Sequence, residues 1–193
     1  MTILGVIKGL VSDADLADRA FDDVDPSAVA LHISPEELKG LEAVVKGEIS
    51  EVPLSSYEMV YARKLSRFGE VQVPSPSLVA IFKKAGGKKI PIISLDMDEE
   101  TYSDVYTESI SGFSMIRTSL KLKRINRKKF KSTTAENFSY EWDRAVNSKA
   151  YMQLEGIREK HMADEIKKAL LKYKSLLCVV ELERMKGIIS HLK

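Results

Sequence analysis

Leu176-Leu177-Cys178-Val179-Val180-Glu181-Leu182-Glu183-Arg184 governs how the rest of the chain must be arranged. Five apolar residues without alternation read as a strand buried on both faces, as in parallel sheets. A helical pattern from Tyr151 to Tyr173 feeds it, the charged turn Glu181–Arg184 follows, and Gly187-Ile188-Ile189 comes next. A helix that leads into a buried strand whose end carries charge is the unit from which open α/β sheets build sites.

Three earlier stretches repeat the pattern. Thr2–Ile7 is apolar and stops at Lys8-Gly9; Ala28–Ile33 follows Pro26; Ile90–Leu95 runs into Asp96-Met97-Asp98. Pro91 suits a strand start or a sheet edge. Between the first two, Ser12 or Asp13 caps a helix to Asp23, and the six Asp residues from Asp13 to Asp25 read as its solvated face and ends. Ser34-Pro35-Glu36-Glu37 has a serine cap, a proline at the first helical position and the glutamate of a capping box. Ser55–Phe68 and Ser77–Ala85 read as helices, the second closed by Gly86-Gly87, with Glu70–Val73 a short strand between them. Residues 99–150 hold no strand and read as a helical insertion, with Ala135–Val146 one of its helices. Strands alternating with helices predict a mainly parallel, buried sheet with covering helices, as a single α/β domain over residues 1–193.

Composition narrows the function classes. The 30 basic and 28 acidic residues nearly cancel, so the net charge of +2 points to no particular partner. One cysteine excludes a disulfide framework, and with three scattered histidines it predicts no metal centre. Cys178 itself lies in an apolar run and reads as core. Ala85-Gly86-Gly87-Lys88-Lys89 lacks the spacing of a phosphate loop, and no cofactor is expected. A leader segment and a membrane span are not expected either, which makes the cytoplasm the default compartment.

The strand ends place the candidate site: Lys8, His32, Asp96 with Asp98, and Glu183 with Arg184. The helix before the last strand must begin at that same edge. On its apolar stripe, Tyr151, Glu155, Arg158, Met162, Ile166, Ala169 and Tyr173, the only charges are Glu155 and Arg158, three apart and able to pair. Arg158 is therefore a further candidate, although a rim ion pair is the plainer reading.

These positions resemble the TraB/PrgY family, grouped with the Tiki, erythromycin-esterase and ChaN-like proteins. Gly5-Val6-Ile7-Lys8 matches its first G-x-x-H motif, Val29-Ala30-Leu31-His32-Ile33 its V-A-V-E-L strand, and Leu95-Asp96-Met97-Asp98 its I-D-R-D. Arg158 with Met162 matches its R-x-x-x-M helix, and Val179–Arg184 with Gly187-Ile188 its V-V-G-A-G-H and downstream G-I. Lys8 and Arg184 stand where the two motif histidines are usual, and a guanidinium cannot ligate a metal. The resemblance thus implies the shared fold, without the metal chemistry of the peptidase-like relatives.

The first functional expectation is a non-catalytic binding or regulatory domain, in which Lys8, Arg158 and Arg184 receive a small anionic group or a protein partner. An alternative is a divergent hydrolase with His32, Asp96, Asp98 and Glu183 as rearranged ligands or as acid and base. A third is nucleic-acid or acidic-surface binding. Residues 109–135 contain no acid and carry Arg117, Lys121, Lys123, Arg124, Arg127, Lys128, Lys129 and Lys131, read as an amphipathic basic helix over 121–131. The six-Asp stretch is its expected counter-charge, within the chain or across a homodimer.

Overall fold

The computed structural model describes residues 1–50 and 52–193, apart from the side chains at positions 119, 120, 122 and 123. Strands β1 (Thr2–Val6), β2 (Ala28–Leu31), β3 (Ile92–Ser94) and β4 (Leu176–Glu181) form one all-parallel sheet in the order β1-β4-β2-β3. The expected α/β architecture is thus present, and the last strand of the chain is an interior one. Its continuous apolarity follows from that place: Leu176, Leu177, Val179 and Val180 are fully buried, and each contributes about 1.5–3 kcal/mol over an exposed position. β3, with Pro91 before it, is an edge strand.

Alternation along the strands sorts the covering helices. Val29 and Leu31 of β2 and Leu177 and Val179 of β4 pack with α1 (Asp13–Val24), α2 (Pro35–Val45) and α4 (Pro76–Lys88). Ala28, Ala30, Leu176, Cys178 and Val180 face α8 (Lys149–Leu170) and α9 (Leu182–Leu192). The connections after β1 and β2 therefore leave toward one face and those after β3 and β4 toward the other. That divergence opens a crevice beyond the strands' carboxyl ends.

A third apolar cluster roofs part of it. Tyr61 and Leu65 of α3 (Ser56–Leu65), Ile125 of α6 (Gly112–Arg127) and Phe138, Trp142 and Val146 of α7 (Ala135–Val146) pack over Ile7 and Leu10. The region 99–150 is helical as expected, beginning with α5 (Glu99–Ser109), which rests on α8 through a 2.9 Å hydrogen bond between the Tyr106 and Tyr151 hydroxyls.

Several local expectations are corrected. Glu181–Arg184 is no turn: β4 passes directly into α9 at Leu182. Gly86-Gly87 does not end α4, which runs to Lys88 and closes on Lys89 in the left-handed conformation. Glu70–Val73 is not a strand but a single antiparallel bridge between Leu10 and Val71. Neither Ser12 nor Asp13 caps α1 through its side chain; Asp13 instead accepts a hydrogen bond from the Ile7 N–H at 2.6 Å. The acidic stretch of α1 is tied to α4, Lys84 meeting Asp18 and Asp22 and Lys88 meeting Asp25, so within the chain these residues do not answer the basic stretch. Finally, α6 ends at Arg127, which leaves Lys128, Lys129 and Lys131 beyond the helix.

Candidate functional site

The crevice at the carboxyl edge is a cavity of 780 Å³. Lys8, His32, Asp96, Arg158, Glu183 and Arg184 all line it; Asp98 does not. Asp98 is the N-cap of α5, its carboxylate accepting from the Thr101 N–H at 2.8 Å, a role legible in the Asp-Glu-Glu-Thr start of that helix.

Each cation in the crevice is already engaged. Arg158 donates through Nε to Asp96 at 3.2 Å, makes a second contact with Asp96 through Nη2, and donates through Nη1 to both oxygens of Glu155 at 3.0 Å. Its guanidinium also lies 5.6 Å from the centre of the Tyr102 ring. The Glu155–Arg158 pair is therefore more than an exposed rim contact, because it is half-buried and extended to the end of β3. Arg184, 4% exposed, meets Asp143 of α7, Glu155 at 3.8 Å and Glu159 at 3.2 Å. Gly187, one turn further along α9, leaves the space that the Glu159 carboxylate occupies. Lys8 is the loosest, half-exposed and 3.9 Å from both Glu58 and Glu181.

His32 is buried at the end of β2, and its Nδ1 accepts the Glu181 N–H at 3.2 Å. The ring proton is thereby assigned to Nε2, which lies 3.8 Å from Asp96. Burial lowers the His32 pKa, with Glu181 and Asp96 opposing, so the ring is neutral at physiological pH. Burial works against ionisation of Asp96, but the hydrogen bonds and charge of Arg158 outweigh it and hold that carboxyl below its usual range. Glu181 also ends low: His32, Lys8 and Arg158 overcome its burial. Glu183 goes the other way. Burial, then the charge of Glu181, pushes it up to about 7, against a 2.6 Å hydrogen bond from Ser139. A carboxyl that titrates near 7 beside one held ionised can donate or accept a proton at neutral pH.

The walls are what the sequence did not reveal. Tyr57, Glu58 and Tyr61 come from α3 and Asp143 from α7. Only the Ser55–Glu58 capping box hinted at where α3 begins. Trp142 is packed rather than presented, 1% exposed and donating to the Tyr57 hydroxyl at 2.7 Å. Tyr61 is 9% exposed, and its buried hydroxyl has no hydrogen-bond partner among the described residues. The lining carboxylates are Glu37, Glu58, Asp96, Asp143, Glu155, Glu181 and Glu183, against Lys8, Arg158 and Arg184. Among the described residues no group of three or more His, Cys, Asp or Glu side chains is arranged to hold a metal ion.

Cys178 is buried in the sheet, and desolvation pushes its thiol up to about 12, which leaves it unreactive. Among the described residues no helix is long and apolar enough to cross a membrane. No family model and no curated protein matches this chain.

Proposed function

We propose that the chain is a small-molecule-binding domain of TraB-like descent, and that its carboxyl-edge crevice takes a ligand with an apolar body and a positively charged group, an amine or a guanidine. The observation that carries this reading is the charge accounting. Both guanidiniums are saturated by carboxylates, while Glu37, Glu58 and Glu181 surround a single ammonium, that of Lys8. An added anion would meet a surplus of negative charge; an added cation would relieve it. Tyrosine rings on the wall suit such a group, since aromatic faces attract cations. The unpartnered hydroxyl of Tyr61 supplies a hydrogen-bonding position that a ligand would fill.

One observation favours the opposite sign: among the described residues the half-exposed Lys8 ammonium has no ion-pair partner closer than 3.9 Å, which leaves it the crevice cation most open to a small anion. A single screen separates the readings. Melting temperatures are measured with arylalkylamines, diamines and guanidines, and with phosphates and carboxylates. The amines and guanidines are expected to raise the melting temperature, and Glu58→Gln, which preserves the capping box, to weaken the effect by about 3–10-fold in affinity. Stabilisation by the anions alone, abolished in Lys8→Ala, would replace this reading with the anionic one.

A further inference from the structure

A second, smaller cavity of 340 Å³ lies away from the crevice, between the end of α3 and the segment that follows α6. Among the described residues Arg63, Lys64, Arg67, Lys128, Lys129 and Phe130 line it, five cations and no carboxylate. Backbone and amide oxygens hold three of these cations in place without cancelling their charge. Lys64 donates to the Lys128 carbonyl at 3.1 Å, Arg67 to the carbonyls of Phe130 at 3.1 Å and Ser132 at 2.9 Å, and Arg63 to the Asn126 side chain. The neighbouring carboxylate, Glu141, is turned to the N–H groups of Lys131 and Ser132. Among the described residues none of the five forms an ion pair. Arg124 and Arg127, both exposed on α6, extend the positive charge along the helix from the groove, while Ile125 between them is buried. Lys121 does not join them, since its ammonium turns inward to the Asn147 carbonyl at 3.2 Å. The Lys123 side chain lies outside the described residues.

We infer that this groove binds the phosphodiester backbone of nucleic acid, independently of sequence. Like charges gathered in a concavity with no carboxylate ion-paired to them, Glu141 acting on Lys128 only at longer range, raise the local potential and attract a polyanion. The continuation along α6 suits a run of phosphates rather than one phosphate group. No sequence reading is built in: Phe130 is 6% exposed and offers no stacking face, and the Asn126 side-chain oxygen is taken by Arg63. A bilayer is the poorer fit. The exposed aromatic of this region, Phe113 at 74%, stands at the other end of α6, about 20 Å from Arg127 at the helical rise per residue.

The test is fluorescence anisotropy with labelled single-stranded RNA and DNA of roughly 20 nucleotides, from about 50 to about 200 mM salt. Binding is expected for both, weakening steeply with salt. The triple substitution Arg124→Ala, Arg127→Ala, Lys129→Ala removes exposed charges only; it is expected to weaken binding about 10-fold or more and to flatten the salt slope by about two. Lys129→Glu alone serves as a second variant with the least risk to folding. Absence of binding at the lowest salt, or equal binding by wild type and both variants, overturns the inference. Tighter binding to phosphatidylglycerol vesicles than to either nucleic acid overturns it in favour of a lipid surface.

Discussion

Burial beside Glu181 holds the Glu183 carboxyl near pH 7, far above its ordinary 4.5, and this has a measurable consequence. A carboxyl whose pKa is raised by folding binds a proton in the folded state that the unfolded state has already released. Its contribution to stability is complete below the unfolded pKa and is lost as pH rises through about 7. Between pH 5 and 8 the wild type should therefore lose stability relative to Glu183→Gln, by about 1–3 kcal/mol. Urea unfolding of both proteins across that range measures it, and parallel curves would refute the assignment. At this scale the sequence was a fair guide to which side chains reach the crevice, because strand ends are legible. It was a poor guide to their state. The Glu155–Arg158 pair follows from its spacing, but nothing in the spacing indicates that Asp96 also engages Arg158 or that Asp143 and Glu159 engage Arg184, since those partners lie far away along the chain.

Helices α8 and α9 meet where Gly187 admits the Glu159 carboxylate, which in turn accepts from Arg184. A methyl group at position 187 occupies that space. Gly187→Ala should cost about 1–3 kcal/mol despite alanine's better helix propensity. In a Glu159→Ala background the same change should cost nothing or stabilise slightly. A double-mutant cycle by denaturant unfolding reads the difference, and equal costs in both backgrounds would show that the glycine does not serve Glu159. Element starts were well marked in the chain: the Ser34 and Ser55 capping boxes form as their spacing implies. Element ends were less legible. Gly86-Gly87 has the composition of a stop, but it lies in open space on α4 and the helix continues past it. The Glu181–Arg184 stretch looked like a turn because three charged positions in four follow an apolar run. In fact Leu182 faces back onto Gly5, which lets α9 start without a connection.

Across the molecule, protection should follow the sheet. β4 is hydrogen-bonded on both sides and covered on both faces, whereas α5 has no buried residue. Hydrogen exchange is expected to be slowest in residues 176–181 and fast in residues 99–109, by several orders of magnitude. Comparable rates would mean that α5 is held by more than its tyrosine contacts. The parallel sheet was readable from continuous apolar runs, and the central place of the last strand accords with its being the least interrupted of them. The roof over the crevice was not readable. The aromatic contacts of Tyr61, Phe130, Phe138 and Trp142 join segments remote in sequence, and each segment alone reads as an ordinary amphipathic helix.

The loopless junction of β4 and α9 bears on how the crevice can open. Glu181 ends a strand held on both sides, and Glu183 and Arg184 lie in the first turn of a helix that starts at the next residue. Without a hinge between them, the backbone that carries these three side chains moves only with the sheet. Any gate that admits a ligand must therefore belong to the opposite wall, where α3 joins its neighbours through longer connections. The charged floor stays in register while the aromatic side yields.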